Sequence, residues 1–383
     1  MRLPPLSLYM HLPWCVRKCP YCDFNSHTAG DSAPTTRYVD ALLADLDRER
    51  ARAGDRSIES IFLGGGTPSL FTPEEIGRLL TAIRERFAVA ADVEITMEAN
   101  PGTVESGSPA GYRDAGVNRL SIGAQSFNDD ALKRLGRIHS SHDIHRTVDD
   151  VKAAGFDNFN LDLMHALPGQ TVASAEADVR TAVALGPTHI SWYQLTLEPN
   201  TVFHARPPEG LPNEELTGEI QDAGGSLLRN AGFEQYEVSA WARDGRRCRH
   251  NLNYWQFGDY LAVGAGAHGK LSNAQGVCRY RKPANPLQYM VSMEQKSERE
   301  RLEPVPEDQI LFEFMLNALR LADGFPESVF SDRTGLPAGV LAKEAGAAVE
   351  KGLLERDEGG TWRPTGLGWR FLNDLQAEFL RNS

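Results

Sequence analysis

Three cysteines near the amino terminus carry the clearest chemical signal in the chain. Cys15, Cys19 and Cys22 form the pattern C-x3-C-x2-C. Thiolates are soft donors that delocalise charge onto sulfur, which suits iron–sulfur clusters. Three thiolates can hold such a cluster but leave it one ligand short. The spacing therefore predicts a cluster whose open iron does chemistry or binds a further molecule.

Two other interpretations use the same cysteines. Cys19 and Cys22 alone resemble a glutaredoxin-like redox pair, and the three cysteines with His11 or His27 could make a Cys3His zinc site. A structural zinc site usually lies in a small domain that cannot fold without it, whereas a chain of 383 residues needs no such help. The cluster is the preferred interpretation, zinc is the second and a redox pair the third.

The composition is that of an ordinary globular protein, with 41% hydrophobic and 24% charged residues. An odd number of cysteines, five, argues against a secreted disulfide framework, so we expect a cytoplasmic location. Neither a signal peptide nor a run of about 18 apolar residues is evident, so we expect any membrane contact to be peripheral. The net charge of -12 disfavours nucleic-acid binding.

Six units of a strand followed by a helix fill the first half of the chain, a pattern typical of parallel sheets with right-handed crossovers. The predicted strands are residues 6–11, 60–63, 93–99, 119–123, 158–164 and 189–194. Residues 36–53 and 73–87 carry apolar side chains at helical spacing and belong to the outer layer. The predicted fold class is α/β, a partial (β/α)6 barrel of the TIM type.

Polar residues follow these strands where ligands gather in parallel α/β folds. The second strand leads into a glycine-rich run at residues 64–68, where a ligand can approach the backbone closely. Glu98 and Gln125 lie at the ends of the third and fourth strands, and Asp162 lies within the fifth. A buried carboxylate such as Asp162 needs a partner or a ligand. The plain alternative is that Asp162 caps a helix or pairs with an arginine such as Arg137.

These motifs together resemble the radical S-adenosylmethionine (SAM) superfamily, in which three cysteines hold a [4Fe-4S] cluster and SAM chelates the fourth iron. Within it the chain is similar to the oxygen-independent coproporphyrinogen III dehydrogenases and to their relatives, the heme chaperones of the HemW family. The resemblance spans the whole chain and implies an open partial barrel. It also implies that Tyr9 lies near the cluster, and that SAM or a second SAM is bound by Tyr21, Gly65, Gly66, Thr67, Glu98, Gln125, Arg137 and Asp162.

Three features favour the chaperones over the dehydrogenases. The dehydrogenases have a fourth cysteine where this chain has Phe24, and a longer extension before the residue that corresponds to Tyr9. Residues 250–255 match the HNxxYW motif of the chaperones, which is linked to heme binding. The resemblance thus implies a protein that binds heme and passes it to respiratory acceptor proteins. The alternatives are radical decarboxylation of coproporphyrinogen III and a SAM-binding scaffold with neither heme nor turnover.

His250, the first residue of that motif, is the candidate heme ligand, because a neutral imidazole is a good axial ligand. A hydrogen-bonded packing role is the plain alternative for His250, and Cys248 is a second possible ligand. The chain departs from the family at His165 and Ala166, where an aromatic residue and a glycine are expected. Residues 264–269 fit G-x-G-x-x-G, but they neither open a helix nor precede a suitably placed acidic residue, so we predict a structural turn.

The remainder of the chain is predicted to be helical and acidic. Helices at residues 306–322, 326–334 and 337–351, followed by a hairpin at residues 353–364, resemble a winged helix. We expect three parts: a radical SAM barrel at residues 1–235, an extension with the HNxxYW motif at 236–300, and a winged-helix-like α+β domain at 301–383. The last part would cover the open side of the barrel or meet a protein partner.

Overall fold

The computed structural model describes residues 2–29, 33–102, 107–296 and 299–380. Its strands are β1 (Leu6–Leu12), β2 (Trp14–Cys15), β3 (His27–Thr28), β4 (Ile58–Gly65), β5 (Val89–Ala99), β6 (Arg119–Gln125), β7 (Phe159–His165), β8 (His189–Gln194), β9 (Glu234–Glu237), β10 (Ala240–Ala242), β11 (Asp259–Val263), β12 (His268–Asn273), β13 (Gly276–Arg281), β14 (Glu303–Pro304), β15 (Phe325–Pro326), β16 (Leu354–Arg356) and β17 (Thr361–Pro364).

The helices are α1 (Thr35–Ala53), α2 (Pro73–Arg86), α3 (Pro109–Ala115), α4 (Asp129–Arg134), α5 (Ser141–Ala153), α6 (Val172–Ala184), α7 (Val202–Ala205), α8 (Glu214–Asn230), α9 (Arg249–Trp255), α10 (Pro286–Glu294), α11 (Glu307–Ala318), α12 (Glu327–Thr334), α13 (Ala338–Glu344), α14 (Gly346–Glu350), α15 (Gly366–Arg370) and α16 (Leu372–Ala377). A short 3-10 helix spans Pro68–Leu70. In the described part of the chain, no helix is long and apolar enough to cross a membrane.

The six predicted strands form the centre of the largest sheet. They lie side by side and parallel in the order β1-β4-β5-β6-β7-β8. Their apolar side chains are buried because helices cover the outer face of a parallel sheet. The predicted partial barrel of six units is confirmed, with small differences at the ends of the strands.

Local sequence signals set the ends of the outer helices. At the start of α2, the Thr72 hydroxyl accepts a hydrogen bond from the Glu75 amide, and the Glu75 carboxylate accepts one from the Thr72 amide. Pro73 follows at the first helical position, where its missing N–H costs nothing. This reciprocal cap explains why the beginning of α2 could be predicted to the residue.

The sheet extends beyond the six predicted strands at both edges. Beyond β8 lie the antiparallel strands β10 and β9. On the other side β11 pairs in parallel with β1, and the antiparallel strands β12, β13 and β14 follow. The predicted turn at residues 264–269 joins β11 to β12, with Gly264 and Gly266 both at positive φ. A turn and strand were predicted within residues 270–280, where β12 and β13 lie, whereas β9, β10, β11 and β14 were not predicted.

A second, smaller core belongs to the carboxyl-terminal part of the chain. It consists largely of residues from α11 to α16 and β15 to β17, joined by Phe257 and Val277 from the larger part. The predicted hairpin is β16 and β17, whereas the third predicted helix is divided into α13 and α14. α12 lies near the amino-terminal ends of β1 and β4, where Arg333 and Ser7 line one cavity. This part therefore packs at the end of the barrel opposite the carboxyl ends of the strands.

Candidate functional site

The three candidate cluster ligands lie on a loop closed by a miniature parallel ladder. β2 pairs with β3, with Trp14 opposite His27 and Cys15 opposite Thr28. The Ala29 amide also donates to the Cys15 carbonyl at 2.8 Å. The cysteine loop, defined here as residues 15–29, therefore begins at the carboxyl end of β1 and returns there. Cys15, Cys19 and Cys22 are all partly exposed on it.

Hydrogen-bond donors surround the three thiols. The Thr67 hydroxyl lies 3.6 Å from the Cys15 sulfur, and the Ser26 hydroxyl lies 3.8 Å from the Cys22 sulfur. Burial raises the pKa of the Cys15 and Cys22 thiols. These two thiols are therefore protonated at neutral pH, and iron must displace their protons on binding. Among the residues that the structure describes, no three potential ligands converge on one point as a single metal ion would require.

The back of the cysteine loop is anchored through Asn25. Its side-chain amide donates to the Ala265 carbonyl at 3.0 Å and to the Ala284 carbonyl at 2.9 Å. A Cβ at Gly266 would lie 2.3 Å from the Asn25 amide nitrogen. The glycine-rich turn that we predicted to be structural thus gives the cysteine loop its support.

The second glycine-rich run, at residues 64–68, fits against the bend that follows β1. A Cβ at Gly65 would lie 2.4 Å from the His11 ring, and one at Gly66 would lie 2.6 Å from the Trp14 carbonyl oxygen. We predicted that glycines here admit a ligand. The contacts in the structure require them for close packing against β1 and β2, and Thr67 presents its hydroxyl to Cys15. Their contact with SAM stays a prediction.

Glu98 and Tyr9 lie side by side inside the barrel near this run. The Gly65 amide donates to the Glu98 carboxylate at 3.0 Å. Burial raises the pKa of Glu98 to about 7, with repulsion from Asp162 adding to the effect. Burial also raises the pKa of Tyr9, whose hydroxyl lies 2.9 Å from His11 Nδ1. The site thus contains a carboxyl group that a cationic ligand would convert to its charged form.

Asp162 finds its partners within the barrel. The Ser121 hydroxyl donates to one carboxylate oxygen at 2.9 Å and the Asn160 amide to the other at 2.8 Å. Burial raises the pKa of Asp162, and these hydrogen bonds offset part of that effect. The alternative that Asp162 pairs with Arg137 is not what the structure shows. Asp162 is satisfied without a ligand, so its predicted role in SAM binding does not follow from burial alone.

Arg137 connects the barrel to the cysteine loop. Its guanidinium lies 3.4 Å from the Cys19 sulfur, donates to the Gly123 carbonyl at 3.1 Å and also donates to the Asn100 side chain. Tyr21 is close enough to Arg137 for each to affect the pKa of the other, and burial raises the pKa of Tyr21. The Arg137 side chain therefore links Cys19 and Tyr21 to the ends of β5 and β6.

Gln125 ends β6 with left-handed backbone geometry, at φ 68°. The pairing of β6 with β7 shifts register between Ile122 and Gln125. A residue keeps such strained backbone geometry only where the surrounding structure holds it in place, and residues of this kind are frequent at functional sites. The strain brings the Gln125 amide to the mouth of the barrel, within 3.0 Å of where a Cβ on Gly123 would lie.

The departure from the family at His165 and Ala166 strains the backbone and leaves a polar atom unsatisfied. Ala166 adopts φ 57°, a region that glycine occupies freely and alanine does not. His165 is buried against Trp192, and its Nδ1 has no hydrogen-bond partner among the described residues. The hydrogen bonds of Asp162 are nevertheless intact.

The structure places His250 away from the cysteine loop, on α9, which packs at the amino-terminal end of the barrel. Its Nδ1 lies 3.1 Å from the Ser60 hydroxyl, and its Nε2 lies 3.1 Å from the Tyr254 hydroxyl. The ring also stacks on Phe62 with 5.0 Å between the centroids. Burial lowers the pKa of His250 to about 3. Both ring nitrogens are engaged in this arrangement, as the packing alternative expects, and the ligand role of His250 stays a prediction.

Cys248, the second possible heme ligand, lies at the start of α9. It is fully buried, and its thiol donates to the Glu94 carboxylate at 3.5 Å. The Glu94 carboxylate also accepts from the amides of Arg249 and His250, so it caps the start of α9. The HNxxYW motif thus closes the amino-terminal end of the barrel through a polar network with β4 and β5.

Sequence reasoning missed Asn100. Its amide donates to the Thr67 hydroxyl at 2.9 Å, while its carbonyl oxygen accepts from Arg137. It therefore links the contacts of Cys15 with those of Cys19. Its position two residues after Glu98, at the end of a strand, was the signal that could have identified it.

Comparison with known proteins supplies the context for this site. The family model of the radical SAM superfamily matches residues 9–182, and that of the HemN C-terminal domain matches residues 305–371. A solved structure of coproporphyrinogen III oxidase (HemN) from Escherichia coli, a radical SAM enzyme, superposes with a TM-score of 0.82 and 23% identity, covering 98% of this chain and 90% of that one. This likeness confirms the predicted fold.

The sequence relatives narrow the family. The chain is 47% identical to the heme chaperone HemW of Haemophilus influenzae over 99% of this chain and 99% of that protein. It is also 47% identical to the heme chaperone HemW of Escherichia coli, again over 99% of each. The match along both full lengths, together with three cysteines on a loop beside a partial barrel, shows that this chain belongs to the HemW family of the radical SAM superfamily.

Proposed function

We propose that the protein is a heme chaperone, which binds heme and passes it to acceptor proteins, with heme-requiring respiratory enzymes as the acceptors. The observation that carries the proposal is the 47% identity to two heme chaperones over 99% of each chain. Phe24 adds support, because it stands where the dehydrogenases carry a fourth cysteine. Its side chain is 59% exposed, so a cysteine is not excluded there by packing.

Membership of the radical SAM superfamily implies a [4Fe-4S] cluster and SAM. The donor set fits these groups, since three partly exposed thiols share one loop that the barrel anchors. Cys15, Cys19 and Cys22 would each hold one iron. When bound, such a cluster supplies one electron and an open iron for the amino and carboxylate groups of SAM.

The other site residues would hold SAM and exclude water around it. The proposed contacts are Tyr9, Tyr21, Gly65, Gly66, Thr67, Glu98, Gln125, Arg137 and Asp162. SAM carries a positive sulfonium, so Glu98 would meet it best as a carboxylate. A cation beside a buried carboxyl group favours its charged form, so binding of SAM would release the Glu98 proton.

The second candidate function is radical decarboxylation of coproporphyrinogen III. The buried carboxyl groups of Glu98 and Asp162 inside the barrel favour it, because a SAM site of this kind also serves radical chemistry. In that reaction a 5′-deoxyadenosyl radical derived from SAM would take one hydrogen atom from each of two propionates. Each substrate radical would then lose carbon dioxide and pass one electron to a one-electron acceptor, which leaves a vinyl group. The barrel residues would position the substrate and keep water out.

The test is heme transfer under anaerobic conditions. The reconstituted protein is loaded with one equivalent of heme, separated from free heme, and mixed with an apo respiratory cytochrome. A chaperone should lose its heme absorption as the cytochrome gains its own, faster than free heme is taken up from albumin. If heme stays on the protein or is released only at the albumin rate, the transfer part of the proposal fails.

A further inference from the structure

A cavity of ≈ 190 Å³ lies outside the barrel, between the barrel wall and the carboxyl-terminal part of the chain. His165 at the end of β7, Trp192 on β8 and Trp241 on β10 line it from the sheet, and α8 forms a second wall. Trp369 on α15 lines it from the carboxyl-terminal part. The residues predicted to bind the cluster, SAM or heme are not among its described lining residues. This cavity is therefore separate from the site at the cysteine loop.

Aromatic side chains make up much of the wall of the cavity. Trp192 and Trp241 are buried, and Trp369 is half-buried. A cavity of about 150 Å³ can hold one benzene ring. The volume therefore suits a molecule with a single aromatic ring, which would pack against the indoles by its face or its edge. A porphyrin is too large for this space.

Two successive glycines lie inside α8, where glycine weakens a helix. Packing requires the first of them, because a Cβ at Gly224 would overlap the Trp192 ring. Packing does not require the second, since a Cβ at Gly225 would lie 3.4 Å from the Trp241 ring, an ordinary van der Waals distance. Gly225 lines the cavity, and the lack of a side chain there keeps the cavity open.

His165 brings an unsatisfied polar group to this apolar wall. The residue is only 3% exposed, and neither Nδ1 nor Nε2 has a hydrogen-bond partner in the described part of the chain. Burial lowers the pKa of His165 to about 4, so the imidazole is neutral at neutral pH. Either tautomer then has an N–H without an acceptor, which is costly in a buried place. An oxygen atom of a ligand in the cavity would supply that acceptor.

The charge left over at the cavity is positive. Asp222 is the one carboxylate among the described lining residues, and it is paired with Arg370 at 3.1 Å. Arg229 also lines the cavity, with its guanidinium 5.6 Å from the centroid of the Trp241 ring, and forms no ion pair with any described residue. Three tryptophans could also surround a quaternary ammonium group. The uncompensated guanidinium disfavours that cation and favours a carboxylate, which it can bind through two parallel hydrogen bonds.

We infer that this cavity binds a small aromatic carboxylate, whose ring packs among the three tryptophans and whose carboxylate accepts hydrogen bonds from His165 and Arg229. The site goes beyond the proposed function and needs neither heme nor the cluster, because its lining residues lie outside the cysteine loop. Trp369 and Arg370 belong to α15. A bound ligand would therefore hold the carboxyl-terminal part of the chain against the barrel wall.

The experiment is a calorimetric titration of the full-length protein with benzoate as the probe. We expect the parent to bind it with a dissociation constant of about 1 mM or below. Gly225→Val should bind benzoate at least about tenfold more weakly, because the new side chain occupies the cavity. Gly218→Val is the matched control. It makes the same change in the same helix, where a Cβ meets no atom within 4 Å, and should bind like the parent.

Two further variants test the polar contacts. His165→Phe keeps a ring against Trp192 but removes the hydrogen bond, and should weaken the binding of benzoate about tenfold. Arg229→Gln should also weaken it about tenfold or more, whereas neutral benzyl alcohol should bind this variant and the parent alike. The comparison of the two probes separates the loss of a charge contact from a general change in the shape of the cavity.

The inference is overturned if the parent shows no binding of benzoate at about 10 mM, ten times the expected constant. It is also overturned if Gly225→Val binds benzoate as the parent does, because the probe then lies elsewhere. Binding of tetramethylammonium in place of benzoate would contradict the assigned charge. If Gly225→Val does not fold, as judged by circular dichroism, unchanged binding by both His165→Phe and Arg229→Gln overturns the inference in its place.

Discussion

The guanidinium of Arg137 lies 3.4 Å from the sulfur of Cys19, although 118 residues separate the two in the chain. The same guanidinium bonds Asn100 and the Gly123 carbonyl at the ends of β5 and β6. The position of the cysteine loop is therefore determined by the barrel and not by the loop alone.

Replacing Arg137 by glutamine should weaken the cluster without unfolding the protein. A hydrogen bond from a charged donor contributes roughly 1.5–3 kcal/mol, so the cluster should be lost to a chelator about tenfold faster or more. The measurement is the decay of visible absorption under anaerobic conditions. Arg146→Gln on α5 is the control, because that arginine is exposed and its ion pair with Asp143 contributes little. Equal decay in both variants would contradict the role of Arg137.

Cys19→Ala should abolish the visible absorption of the reconstituted cluster, because the two remaining cysteines cannot ligate three of its iron atoms. Iron and sulfide content and absorption would be measured together. Cys278→Ala is the control, since that buried cysteine lies on β13, away from the loop. Retention of full iron and sulfide by Cys19→Ala would contradict the ligand assignment.

Glu98 should make the stability of the protein fall as the pH rises. Burial raises the pKa of Glu98 to about 7, whereas a glutamate in an unfolded chain titrates near about 4.3. The folded state thus holds this proton more tightly, and the stability it confers is complete below about pH 4.3 and is lost as the pH rises through 7. The full difference is roughly 4 kcal/mol.

Glu98→Gln should remove this dependence of the stability on pH. Between pH 5 and pH 8, the free energy of unfolding of the variant should rise relative to that of the parent, as measured by urea denaturation. Buried carboxyl groups with raised pKa values that do not interact with Glu98, such as Asp178, contribute to both proteins and cancel. Glu358→Gln, at an exposed turn, should follow the parent. A constant difference between Glu98→Gln and the parent across this range would show that Glu98 does not titrate there.

Ala166→Gly should stabilise the protein by about 1 kcal/mol, because it relieves a left-handed backbone at φ 57°. Thermal unfolding is the measurement. Ala177→Gly, in the exposed face of α6, should have the opposite sign and a similar size, since glycine weakens a helix interior. If both variants are destabilised alike, Ala166 is not strained.

The sequence predicted the parallel strands well because each one is a short apolar run followed by polar or glycine residues. The cysteine loop was predictable for a different reason, since the spacing of its three cysteines favours a cluster over a zinc site or a redox pair. Asn100 and the partners of Asp162 were not predictable, because their contacts join strands that are distant in the chain. β11 was missed because its parallel partner β1 lies some 250 residues earlier.

His250 shows why a motif alone does not decide the role of a histidine. A histidine in an aromatic stretch suits heme and suits packing equally well, and only the neighbours in space decide between them. Ser60 and Tyr254 occupy its two nitrogens.

The most direct test of the whole account uses one anaerobic sample reconstituted with iron and sulfide. One portion is titrated with heme, and the other is incubated with coproporphyrinogen III, SAM and a reductant, followed by product analysis. We predict stable binding of heme and no decarboxylated product. Formation of product with repeated turnover, and without heme binding, would contradict the chaperone function and make the protein a dehydrogenase.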